Sequence, residues 1–119
     1  AIKLNVSGAF HSALMESALD GLTQAIGSVE FKDPAFPVYA NVNARPVQNA
    51  MEIRTLLAEQ LTSPVRWEES ISNMRGAGAR LFVEIGPGKV LQGLIKRIES
   101  SAEVRGVDKF ADIQAPVPA

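Results

Sequence analysis

Cysteine is absent from the 119 residues, histidine occurs once, and tryptophan and tyrosine occur once each. Without cysteine there is no disulfide framework, no thiolate metal site and no cysteine nucleophile, which suits a reducing compartment. No apolar run approaches the roughly 20 residues that a membrane-spanning helix needs, and the N-terminus has no signal-peptide pattern, so the expected location is soluble and cytoplasmic. A net charge of −1 gives no field to gather nucleic acid or an anionic membrane. Internal repeats and low-complexity linkers are missing as well. What is present, 46% apolar and 21% charged residues, is ordinary globular usage for one compact domain. The chain opens on a strand-like segment with no lead-in, as expected of a piece cut from something longer.

That opening segment, residues 2–6, alternates Ile2, Leu4 and Val6 with Lys3 and Asn5, the period of a half-buried strand. Ser12 can cap a helix whose Leu14, Ala18, Leu22 and Ile26 form one apolar stripe ending at Gly27. Extended segments broken by Pro34 and Pro37 follow, then a turn at 44–46. A second helix is predicted to turn Ile53, Leu57 and Leu61 inward, and a third to share Trp67, Ile71 and Met74 on one face. The run Leu81–Phe82–Val83–Glu84–Ile85 reads as a strand covered on both faces. Gly86–Pro87–Gly88 turns the chain into a helix with Val90, Leu91, Leu94, Ile95 and Ile98 at helical spacing. A last short strand near 104–108 and a loose tail from Asp112 complete the pattern. Helices alternating with buried strands argue for an α/β fold with at least partly parallel pairing.

His11 sits where a strand gives way to a helix, a place where α/β enzymes gather active-site groups. Imidazole titrates near neutrality and can take and return a proton within one cycle. The plainer reading is a boundary histidine that packs a turn. No serine here lies in a G-x-S-x-G elbow, so spacing alone does not give a hydrolase. Gln60 falls toward the apolar stripe of the second helix, or else is a boundary residue with its amide in solvent. Glu84 interrupts an apolar strand, which predicts either a buried carboxylate with a raised pKa or a strand-end carboxylate beside a cation. The Gly86–Lys89 stretch invites a phosphate-cradle reading, but Pro87 removes an amide and the spacing fails both glycine-rich phosphate motifs, leaving a rigid turn. No metal site is expected.

Four stretches taken together carry a resemblance: NVSGAFHSALMESA, FPVYANVNARPV, LLAEQLTSPVRWEESI and FVEIGPGKVLQGLIKRI. In order and spacing they resemble the C-terminal part of malonyl-CoA:acyl-carrier-protein transacylases of type II fatty acid synthesis. The resemblance implies roughly the last two-fifths of such an enzyme: residues 1–10 as the last strand of a small ferredoxin-like subdomain with the histidine loop, and 11–119 as the C-terminal part of a large hydrolase-like subdomain. It implies ping-pong malonyl transfer through a serine that lies outside this chain. His11 matches the base, and Gln60 the residue whose backbone carbonyl orients it. Phe10 matches a wall of the acyl site, where a phenyl ring leaves little room for an α-methyl group. No bound cofactor is implied. The substrates are malonyl-CoA and the phosphopantetheine thiol of acyl carrier protein, and the partners are that carrier protein and the missing N-terminal portion. Lys89, Lys96, Arg97 and Arg105 are candidates for meeting an acidic carrier.

The chain alone, lacking the serine elbow, is expected to be inactive. Two rival readings stand beside this one. A non-catalytic fragment with an incomplete sheet would self-associate through its open edge. A portion of a modular polyketide synthase acyltransferase would carry the same histidine.

Overall fold

The computed structural model describes residues 8–113. The expected strand at 2–6 and the end of the tail lie outside them. The chain divides into two compact units between Ser70 and Ile71.

In the first unit, Ser12 caps a 3-10 segment, Ala13–Ala18, that runs into α1 (Leu19–Gly27). The expected stripe assumed 3.6 residues per turn throughout. A 3-10 segment winds three per turn, so Leu14 loses phase with the helix and stands 79% exposed, while Ile26 is buried. β1 (Val38–Tyr39) and β2 (Pro46–Val47) pair antiparallel, Val38 opposite Val47. Pro37 and Pro46 lack ladder donors, which keeps both strands short. The turn between them places Ala44, fully buried, at φ 56°. Arg66 ties down this connection: its backbone N–H donates to the Asn41 carbonyl (2.9 Å) and its guanidinium pairs with Glu69 (2.6 Å).

α2 (Ala50–Glu59) begins under two carboxamide or carboxylate caps. Asn49 Oδ1 accepts from Glu52 N–H (3.0 Å), and Asp33 Oδ1 accepts from Ala50 N–H (2.7 Å). Arg54 lies over the Phe31 ring, 5.6 Å from its centroid. The inward face of α2 differs from the expected one. Leu56 is buried and Leu57 exposed, so the stripe runs Ile53–Leu56–Gln60 and packs toward α1.

α3 (Trp67–Gly76) spans the division, with Ile71 1% exposed. In the second unit, β3 (Leu81–Ile85) and β4 (Glu103–Val107) run parallel, Leu81 opposite Glu103, joined by α4 (Val90–Ile98). This is the parallel pairing expected, and Ile95 and Ala102 are buried within it. Full coverage of β3 is not found. Val83 and Ile85 are 43% and 83% exposed, because alternate residues share a face and no described element of this unit covers that one. The tail also differs from expectation: Asp112 and Ile113 belong to a short helix, α5 (Phe110–Ile113).

Glu84 is neither raised in pKa nor paired with a cation. Its carboxylate accepts from the backbone N–H groups of Leu91 (3.3 Å) and Gln92 (3.2 Å) and from Gln92 Nε2 (3.1 Å). Partial desolvation pushes its pKa up, but these three donors together favour the anion and hold it below its ordinary value. Since Lys89, at the N-cap position, offers no side-chain cap, a strand carboxylate caps α4 in its place. Gln92 reaches Glu84 across Gly106, where an added Cβ would lie 2.5 Å from Nε2.

Candidate active site

The centre of the site is one hydrogen bond between residues 49 positions apart. His11 Nδ1 lies 2.9 Å from the carbonyl oxygen of Gln60. A carbonyl only accepts, so Nδ1 carries the hydrogen and the neutral ring keeps its lone pair on Nε2. This is the tautomer a general base needs. Nδ1–H is held by an uncharged acceptor, and Nε2 is left to exchange protons.

Gln60 provides that acceptor because it is the C-cap of α2, with φ −58° and ψ −30°. The last carbonyls of a helix have no intrahelical donor and project from the negative end of its dipole, so they suit an N–H that becomes more positive when the imidazole protonates. The glutamine side chain takes no part in the bond. It lines an apolar cavity of about 140 Å³ with Tyr39, Val47, Ile53 and Leu56. Of the two expectations for its side chain, the inward one agrees with this lining; what the residue brings to the bond is its carbonyl.

His11 itself has φ 57°, in the left-handed region that residues other than glycine seldom adopt, although histidine is among the more tolerant. The ring is half-buried. Ser12, next in the chain, bridges outward in both directions. Its Oγ donates to the Ala9 carbonyl (2.6 Å) and accepts from Leu14 N–H (3.4 Å). The sequence predicts the cap alone; the only sign it carries of the other bond is a hydroxyl directly after the histidine. Phe10 is 61% exposed, its ring edge over Gly8, so it is not a core residue of the described chain.

Other candidates fall away. Gly86 (φ 138°) and Gly88 (φ 86°) make the rigid turn that Pro87 implied, and amides at the start of α4 are already engaged by Glu84. Arg105 is paired with Glu103 (2.6 Å) and Lys96 donates to the Ser100 carbonyl (3.3 Å), which leaves Lys89 and Arg97 the freer cations of that set. Among the described residues no cluster of His, Asp and Glu is placed to hold a metal, and no helix is long and apolar enough to cross a membrane.

No family model matches the sequence. Individual proteins do. The malonyl CoA-acyl carrier protein transacylase of Bacillus subtilis is 47% identical over 98 residues, covering 82% of this chain and 31% of that protein. The solved acyl carrier protein S-malonyltransferase of Vibrio cholerae superposes with a TM-score of 0.87 at 40% identity, covering 94% of this chain and 37% of the other. A solved complex of a type II polyketide synthase acyl-carrier protein with its malonyl-transacylase matches at a TM-score of 0.84 and 41% identity, over 92% of this chain and 36% of that one. The fold is therefore part of an α/β acyltransferase. Over most of its length the chain is similar to part of the malonyl CoA-acyl carrier protein transacylases, and it spans about a third of the length of the relatives it matches.

Proposed function

We propose that this chain is the histidine-bearing part of a malonyl-CoA:acyl-carrier-protein S-malonyltransferase, with the nucleophilic serine supplied by the portion of the parent protein outside it. The observation that carries the reading is the Nδ1–H bond from His11 to the Gln60 carbonyl. In the first half-reaction Nε2 takes the serine proton as Oγ attacks the malonyl thioester carbonyl. The tetrahedral adduct then expels the coenzyme A thiolate, which receives that proton. In the second half-reaction Nε2 takes the proton of the phosphopantetheine thiol. Sulfur attacks the malonyl ester, and the serine leaves reprotonated. Throughout, Nδ1–H stays on the carbonyl, which orients the ring without burying a carboxylate beside it.

Phe10 is proposed as a wall of the acyl site, its exposed ring available to a substrate. Acyl carrier protein is the proposed protein partner, in keeping with the relative solved in complex with one, and a cytoplasmic location is proposed with it. The test is a chimera in which this chain replaces the matching portion of the Bacillus subtilis relative. Malonyl transfer to holo carrier protein is expected from the chimera, lost in its His11→Ala variant, and absent from the 119-residue chain alone. Undiminished transfer by the His11→Ala chimera would overturn the reading.

A further inference from the structure

The left-handed backbone of His11 needs something to hold it, and its own side chain is engaged at a single point, the Gln60 carbonyl. Ring orientation follows from the direction of the Cα–Cβ bond, which the backbone sets. A residue relaxing out of φ 57° would carry the imidazole away from the acceptor, whatever Gln60 does. The hydroxyl of Ser12 spans the turn that contains His11. It donates to Ala9 on the near side at 2.6 Å, the shorter of its two bonds, and accepts from Leu14 N–H on the far side. The Ser12 carbonyl also accepts from Met15 N–H (3.0 Å), so the far side of the turn is anchored to the 3-10 segment.

We propose that Ser12 is a positioning residue for His11: its hydroxyl, by donating to the Ala9 carbonyl, closes the turn in the conformation that aims Nδ1–H at Gln60. The proposal deepens the reading of His11 as the base and rests on it. Helix capping alone does not account for this bond, because a cap needs only an acceptor and Ser12 is here also a donor.

Substitution separates these two properties. Ser12→Asp keeps an N-cap acceptor and lacks the donor, Ser12→Thr keeps both, and Ser12→Ala has neither. The measurement is long-range proton–nitrogen correlation of the single histidine in the nitrogen-15 labelled 119-residue chain, in alkaline buffer. In the wild-type chain one protonated Nδ1 and one bare Nε2 are expected, and Ser12→Thr is expected to match. In Ser12→Asp and Ser12→Ala the two nitrogens are expected to move toward averaged shifts as tautomers exchange. In the chimera, kcat of Ser12→Asp is expected to fall about 10- to 100-fold with KM little changed, the scale of a misplaced catalytic group. Retention of the single Nδ1–H tautomer in Ser12→Asp would overturn the proposal while leaving His11 as the base intact. Averaged nitrogens already in the wild-type chain would overturn both. Should Ser12→Ala fail to fold, Ser12→Asp, which keeps the cap, decides alone.

Discussion

If a backbone carbonyl orients His11, then truncating the Gln60 side chain and turning the Gln60 peptide must have very different consequences. Gln60→Ala removes no atom of the 2.9 Å bond. Leu61→Pro leaves residue 60 unchanged in identity but disfavours its αR conformation, pushing ψ from −30° toward about +140°. A carbonyl about 1.2 Å long places its oxygen about 1 Å off the Cα–C axis, so a rotation of that size moves the oxygen about 2 Å. From 2.9 Å this breaks the bond, since N–H···O contacts fade beyond about 3.2 Å. Leu61 N–H gives up a 3.3 Å bond to the Ala58 carbonyl, and the turn bonds of Thr62 N–H to Glu59 (3.2 Å) and Ser63 N–H to Gln60 (3.5 Å) are disturbed with it, so the thermal melt of the variant is read beside its activity. Proline is common just after a helix C-cap. Loss of orientation is expected to lower kcat of the chimera about 100-fold, or about 2.7 kcal/mol of transition-state stabilisation, against less than about threefold for Gln60→Ala. Steady-state malonyl transfer at saturating malonyl-CoA measures both. Equal losses in the two variants would show that the side chain, not the carbonyl, orients the ring. Full activity in Leu61→Pro would dispose of the orienting bond altogether.

Four further outcomes are expected. Ile71→Ala should destabilise the chain by about 2–5 kcal/mol and Ile71→Val by about 0.5–1.5, read as a shift of the urea midpoint at constant slope; a loss below 1 kcal/mol for alanine would contradict its burial. Glu84 is held below its ordinary value of 4.5, so its contribution to stability is complete above that pH and is lost as pH falls through the lower folded-state value. Glu84→Gln should therefore flatten that part of the acid limb in a pH series of thermal melts, and an unchanged limb would refute the assignment. Gly106→Ala should drive Gln92 off Glu84 and lower Tm, with little further effect in a Gln92→Ala background; additive losses would show that Gln92 is not what the methyl displaces. Phe10→Ser in the chimera should raise the kcat/KM ratio for methylmalonyl-CoA over malonyl-CoA by about 10- to 200-fold, the range one methylene commands in an apolar pocket. An unmoved ratio would remove Phe10 from the acyl site.

Much of the local structure was legible because it depends on near neighbours. The parallel strands around 81–85 and 103–107, the glycine–proline turn at 86–88, the Ser12 cap and the buried Ile71 all follow from periodicity, proline chemistry or a hydroxyl at a boundary. The errors arose where phase or reach was at issue. Leu14 faces solvent because its segment winds as a 3-10 helix, and the inward leucine of α2 is Leu56, not Leu57. Sequence alone could not assign Glu84, whose partners are amides seven and eight residues on, brought back by a turn.

By itself the sequence determined that the chain is α/β, that one imidazole is available, and that its four motifs stand in the order of an acyltransferase family. Only the tertiary structure decided which nitrogen of that imidazole carries the hydrogen. The tautomer is set by an acceptor 49 residues away, and that acceptor belongs to the backbone. Every residue but one type carries the same carbonyl and amide, so nothing in the identity of Gln60 announces the bond. Its position at the end of a helix, where the carbonyl has only a long 3.5 Å contact from Ser63 N–H besides the imidazole, is a property of the fold.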